Sequence, residues 1–211
     1  MRIAVISPDA RDPREIPSME GFFAAGLERY HVRKPSWGAQ ELEAWLRALP
    51  AEWRPRIVLH HHHALVDRLG LGGRHDRDAG PGPDAPPGAL SRSCHDLASL
   101  RRHLGGYGSI LFGPVFHSLT KPGYGPAADF PWDALRALLR EGRGGCPPGT
   151  PRPAQVLAVG GVTAHRLARC GELGFDGAAV LGAVWSAPDP ARAFEGVRAA
   201  AARLEDTRNA A

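Results

Sequence analysis

The chain is short of cysteine, has no long apolar run and carries no block of like charge, and each shortage removes a class of protein. Its three cysteines among 211 residues, Cys94, Cys146 and Cys170, are odd in number and lack metal-ligand spacing. No disulfide framework is expected, and a reducing cytoplasmic setting suits such a chain. The opening MRIAVISPDARDP holds an apolar run too short for a secretory signal, ended by Pro8 and Asp9. No stretch is long enough to cross a bilayer, so a soluble protein without a membrane partner is expected. Basic residues number 26 against 22 acidic ones, scattered to a net charge of +4 without a stripe or tail. Nucleic acid is therefore not an expected partner, whereas small phosphorylated molecules suit a modest positive field.

Glycine and proline, by contrast, are plentiful, at 26 and 20. They cluster at Gly80–Gly88 and Gly142–Pro153, which are expected to be loops. Elsewhere, short β-branched runs alternate with segments of helical period. Strands are expected at Ile3–Ser7, Tyr30–Lys34, Arg56–His61, Gly73–Asp76, Leu90–Cys94, Ile110–Val115, Val156–Val159 and Gly177–Leu181. Helices are expected at Ser18–Glu28, Gln40–Leu49, Ala64–Leu69, Leu97–Leu104, Trp132–Arg140, Ala164–Leu173 and Pro190–Leu204. Leu42, Trp45, Leu46 and Leu49 recur at offsets of three and four, one buried stripe. Strands such as ILFGPVF and VLAVGG are apolar throughout, as parallel strands buried on both faces are. Eight of them with intervening helices predict a single (β/α)8 barrel over residues 1–211 with a shortened fourth unit, where Gly80–Gly88 replaces a helix. An open doubly wound sheet is the alternative.

In such a barrel, chemistry belongs at the C-terminal strand ends. After strand six, GPVFHSLTKPGYG offers the hydroxyls of Ser118 and Thr120 and the charge of Lys121, a clamp for phosphate oxygens or, more plainly, a solvated loop. After strands seven and eight, Gly160, Gly161 and Gly182 remove Cβ atoms at helix openings whose amides, that of Ala183 among them, favour an anion, although tight turns alone would also use glycine. Arg33 and Lys34 end strand two, where they could face an anion or form a solvated pair. Ser93 precedes a helix that it or Asp96 could cap. The run His60–His63 in RIVLHHHHALVDRLG lies inside the fold and is not a purification tag.

GPVFHSLTK, VLAVGGV and GAAVLGAVW together resemble the thiamine phosphate synthase and TenI superfamily, with weaker similarity in YHVRK, IVLHH, GGRH and RSCH. In its synthases a hydroxymethylpyrimidine diphosphate loses pyrophosphate and a thiazole phosphate captures the carbocation. The resemblance implies that Arg33, Ser93, Ser118, Thr120 and Lys121 hold pyrophosphate, and that Gly160, Gly161, Gly182 and Ala183 hold the thiazole phosphate. Synthases place an Asn-Asp pair after strand three and a further Asp after strand four to bind magnesium. Here His60 and His61 occupy the pair, with Asp78 only near the other position, and Pro35 stands at the lysine of their Arg-x-Lys. Magnesium is thus expected only if the synthase reaction holds, and no other cofactor is expected. TenI tautomerases lack the magnesium aspartate, and their His-x-Arg and Arg-Ser-x-His match His31–Arg33 and Arg92–His95, but Pro114 replaces their acid/base histidine.

Three readings of the histidine run stay open: His61 or His62 as a proton shuttle facing the pocket, solvated residues at a strand end, or a zinc or nickel site joined by His31 or His95. The catalytic candidates are His61, His62, Ser93 and Lys121. A thiazole phosphate tautomerase is placed first, a thiamine phosphate synthase second, and a non-catalytic binder of thiamine precursors third. A homo-oligomer is compatible with the sequence.

Overall fold

The computed structural model describes residues 1–79, 90–141 and 154–209. Eight strands, β1 (Arg2–Ile6), β2 (Arg29–Val32), β3 (Ile57–Leu59), β4 (Gly73–Asp76), β5 (Leu90–Cys94), β6 (Ser109–Phe112), β7 (Gln155–Val159) and β8 (Gly177–Val180), follow one another around a closed barrel. Every pairing is parallel, and β8 returns to β1. The helices are α1 (Glu15–Ala24), α2 (Ala39–Ala48), α3 (Leu65–Leu69), α4 (Leu97–His103), α5 (Trp132–Glu141), α6 (Leu167–Leu173), α7 (Gly182–Trp185) and α8 (Pro190–Asn209). The sheet closes, so the open doubly wound alternative is excluded. Gly80–Gly88, Gly142–Pro153 and Cys146 lie outside the described residues, and with them the expected shortening of the fourth unit.

Side chains alternate along each strand, so the barrel has an outer and an inner face. Ile3, Val5, Tyr30, Val32, Ile57, Leu59, Ile110, Phe112 and Val156 face outward and join the main core with helix residues such as Leu42, Leu46, Leu135 and Leu139. Full burial of a leucine such as Leu46 is worth about 1.5–3 kcal/mol. Inside, Ala4, Ile6, Leu111, Leu157 and Ala179 make a second, separate apolar cluster from β1 and β6–β8. The register places Ile6 beside His31, His75 beside Ser91, and Ser93 beside Leu111, so β2, β4 and β5 complete the same inner face with imidazoles and hydroxyls. The interior is therefore apolar on one side and polar on the other.

Lys34 corrects the expectation drawn for it. It faces neither solvent nor a pocket: its buried Nζ lies 2.6 Å from Glu15 Oε2 and donates to the Pro8 and Ala10 carbonyls at 2.7 and 3.1 Å. Tyr30 donates to the other Glu15 oxygen at 2.8 Å. Burial raises the Glu15 carboxyl above its ordinary value, and the hydrogen bond from Lys34 offsets only part of that rise. The pair braces the β1–α1 loop against the end of β2. A 3-10 turn at Ala51–Arg56 and the four-residue α7 were not expected, and Ala164–Leu173 divides into a 3-10 turn (Ala164–Arg166) and α6. No helix among the described residues is long and apolar enough to cross a membrane.

Candidate active site

A cleft of about 460 Å³ opens at the C-terminal ends of the strands. Arg33, Ser93, Ser118, Thr120, Lys121, Gly160, Gly161 and Gly182 all line it, over an apolar floor that includes Ile6, Leu111, Ala179 and Leu181. Ala183, also expected there, is not among the lining residues. Arg33 extends from the end of β2 and pairs with Asp9.

The loop after β6 is built by its own hydrogen bonds. Ser118 Oγ accepts the Lys121 and Thr120 amides at 3.0 and 3.3 Å, and the Ser118 amide donates to the Tyr124 carbonyl at 2.7 Å. The Val115 and Phe116 amides donate to the carbonyls of Val159 and Gly160 at 2.9 and 3.1 Å, which carries the loop along the end of β7. Gly160 and Gly161 have φ values of 93° and 63°, and a Cβ on Gly161 would stand 2.1 Å from the His117 carbonyl oxygen. A Cβ on Gly182 would meet Leu119 Cβ and Thr120 Cγ2 at 3.2 Å. The two glycine corners thus touch one and the same loop. Leu119 and Tyr124 stand half exposed on it, at the rim of the cleft.

The four histidines part company. His60 lines the cleft, because it shares the inward parity of Val58 two residues before it. His61 reaches an adjoining recess with Arg77 and Asp78, where its Nδ1 lies 3.1 Å from an Arg77 guanidinium nitrogen. His62, at φ 55°, turns aside to donate from Nε2 to the Trp37 carbonyl at 2.9 Å. The expectation that His61 or His62 faces the central pocket is therefore corrected: β3 ends at Leu59, and strand alternation no longer governs beyond His60.

Behind His60 stand two more inner-face imidazoles. His31 Nδ1 lies 3.1 Å from His60 Nε2, and the His75 ring stacks on His60 with centroids 4.0 Å apart. His75 Nδ1 bonds Ser91 Oγ at 2.7 Å and its Nε2 bonds Ser93 Oγ at 2.8 Å. Burial first, and then the positive charge of Arg29, pushes His31 down to about 4. Burial likewise holds His60 and His75 well below the usual imidazole range. All three are neutral at pH 7. His95, also lining the cleft, donates from Nδ1 to the Gly113 carbonyl at 2.5 Å. His75 went unrecognised in the sequence, although the alternation within GRHD does place it on the face of Gly73.

Among the described residues, the donors at the cleft do not fit magnesium. No carboxylate lines the cleft among the described residues. Asp78, in the adjoining recess, accepts the Ser99 hydroxyl, and its neighbours His60, His61 and Arg77 are imidazoles and a cation, not the oxygen donors this ion requires.

No family model matches the chain. It is 30% identical to a thiamine-phosphate synthase of Chromobacterium violaceum over 207 residues, covering 89% of this chain and 90% of the relative. It is 30% identical to one of Methylobacillus flagellatus over 199 residues, covering 87% of each. Among solved structures, thiamine phosphate pyrophosphorylase from Bacteroides thetaiotaomicron matches with a TM-score of 0.75 and 23% identity, covering 95% of this chain and 98% of that one. The Pyrococcus furiosus thiamine phosphate pyrophosphorylase matches at 0.74 and 18%, covering 96% of each. At these identities the solved structures speak for the barrel alone. The curated relatives reach further, since their identity is sustained along nearly the whole chain, and on that ground the chain belongs to the thiamine-phosphate synthase family of thiamine-biosynthesis enzymes.

Proposed function

We propose that this protein joins a hydroxymethylpyrimidine diphosphate to a thiazole phosphate and releases pyrophosphate. The observation that supports this reading is one cleft lined by two arrays of groups suited to anions, side-chain donors with positive charge and glycine corners. Arg33, Ser93 and the hydroxyls and lysine of the Ser118–Lys121 loop line it together with Gly160, Gly161 and Gly182, whose corners abut that loop. Two phosphorylated substrates need both arrays, whereas a tautomerase acting on one phosphate needs one. The tautomerase reading, placed first from the sequence, also lacks its strand-six histidine, where Pro114 stands.

In the proposed reaction the pyrimidine's methylene C–O bond breaks and its electron pair leaves with pyrophosphate. The thiazole ring nitrogen then donates its lone pair to the methylene carbon. Arg33 and Lys121 supply positive charge where the leaving group gathers negative charge, the electrostatic stabilisation on which such a step depends. Ile6, Leu111, Ala179 and Leu181 present an apolar surface to the rings and exclude water from the cation. The glycine corners let the thiazole phosphate approach backbone amides and fix its nitrogen near the carbon it attacks.

The test is incubation of the purified protein with both precursors, with and without magnesium, while pyrophosphate and thiamine phosphate are measured. Stoichiometric appearance of both supports the proposal. It is refuted by a change in the thiazole carboxylate's ultraviolet spectrum with protein alone, or by thermal stabilisation by both precursors without product.

A further inference from the structure

The inner face of the barrel holds a cluster that the proposed reaction does not use. His31, His60 and His75 come from β2, the end of β3 and β4, three neighbouring staves of one sheet. One nitrogen from each lies within 4.8 Å of the others. We propose that these three imidazoles form a binding site for a borderline divalent metal, zinc foremost, with its fourth coordination position open to the cleft.

Four observations support this. First, imidazole suits zinc, copper, nickel and cobalt, and three protein ligands with one open position is the arrangement of catalytic zinc. Second, His31 Nδ1 and His60 Nε2 are 3.1 Å apart, against the ~3.4 Å that two ligands of a tetrahedral ion adopt when each metal–nitrogen bond is ~2.05 Å. Third, His75 holds serine hydroxyls at both nitrogens, Ser91 at one and Ser93 at the other. A hydroxyl rotates readily, so the ring can turn one nitrogen to an ion while the other serine continues to orient it, as outer partners of metal-bound histidines do. Fourth, His60 and Ser93 line both the cleft and the adjoining recess, which gives an ion a way in and an open side.

Closure requires modest movement. The outermost nitrogens must approach by at most about 1.4 Å to reach that spacing. Three neutral ligands leave the ion with both of its charges, so an anionic oxygen in the cleft is the natural fourth ligand. Magnesium is not a competitor, because it prefers oxygen donors. The proposal is independent of the synthase reading, since it concerns what the imidazoles bind and is measured without turnover.

The experiment uses untagged full-length protein, stripped with a chelator, dialysed and titrated with cobalt as a coloured stand-in for zinc. Expected are the visible bands of four-coordinate cobalt, saturating at one equivalent and abolished by one equivalent of zinc. His60→Asn should weaken binding at least 100-fold with an unchanged circular dichroism spectrum, and His31→Asn reads the same loss if the first variant fails to fold. The combined His61→Ala, His62→Ala and His63→Ala variant should bind within threefold of the parent. The proposal is overturned if the parent shows no such bands, or if the combined variant loses them, which would place the metal on the surface run.

Discussion

Gly161 and Gly174 allow the role of the β7 corner to be separated from simple backbone strain. Both have positive φ, 63° and 97°, so alanine at either position costs about 1–2 kcal/mol in the left-handed region. Their surroundings differ. At Gly174, which ends α6 before β8 begins, a Cβ would meet Leu139 Cβ at 3.3 Å, a contact relieved by a shift of a few tenths of an ångström. At Gly161 it would stand 2.1 Å from the His117 carbonyl oxygen, which is backbone, so the corner and the β6 loop must part by roughly 1 Å or more to reach ordinary contact. A displacement of that size at a reacting centre costs on the order of 100-fold in rate. Gly174→Ala should therefore lose about 1–2 kcal/mol in urea denaturation while keeping kcat/KM for pyrophosphate release. Gly161→Ala should lose at least as much stability and about 100-fold in kcat/KM. If Gly161→Ala turned over within threefold of the parent while matching Gly174→Ala in stability, the coupling between corner and loop would be refuted.

The buried Lys34–Glu15 pair makes a second prediction. Lys34→Met strands a carboxylate in the interior and should cost about 3–5 kcal/mol in urea unfolding, part of it recovered by adding Glu15→Gln; an effect below about 1 kcal/mol would contradict the buried pairing. Lys121 is exposed on the loop, so Lys121→Ala should leave stability within about 0.5 kcal/mol and lower kcat for pyrophosphate release on the order of 100-fold. Unchanged turnover would remove Lys121 from the leaving-group site. Burial pushes the Cys170 thiol up to about 12 and raises that of Cys94. Neither should react with a thiol reagent at pH 8 until urea unfolds the chain, as peptide mapping of the labelled protein will show.

The fold was legible because parallel strands buried on both faces leave a mark in sequence. The apolar runs ILF and VLAV fall within β6 and β7, and the stripe of Leu42 and Leu46 identifies α2. Short elements left no such mark: GAVW is too brief for a helical period, and the turn at AEWRPR contains Pro55. In the cleft, the residues of GPVFHSLTK and VLAVGG came together because each lies at a strand end, which local pattern reveals. Pairings between distant segments were not legible. Lys34 reads as facing an anion or solvent because Glu15, its partner, sits on a separate helix 19 residues earlier. The histidine run misled in a similar way. Alternation was extended past Leu59, where the chain had already turned, and His31 and His75 meet His60 only through strand register.

The divided interior of the barrel bears on how a guest settles. A flat heterocycle coming down from the mouth finds a greasy wall on the flank of Ile6 and Leu111 and hydrogen-bonding partners on the flank of His60 and Ser93. Its nitrogen-bearing edge and its hydrocarbon edge are sorted by solvation alone, before any charged group takes hold. Reversing the ring would dehydrate polar atoms against hydrocarbon, so the chamber itself dictates which way round the molecule lies.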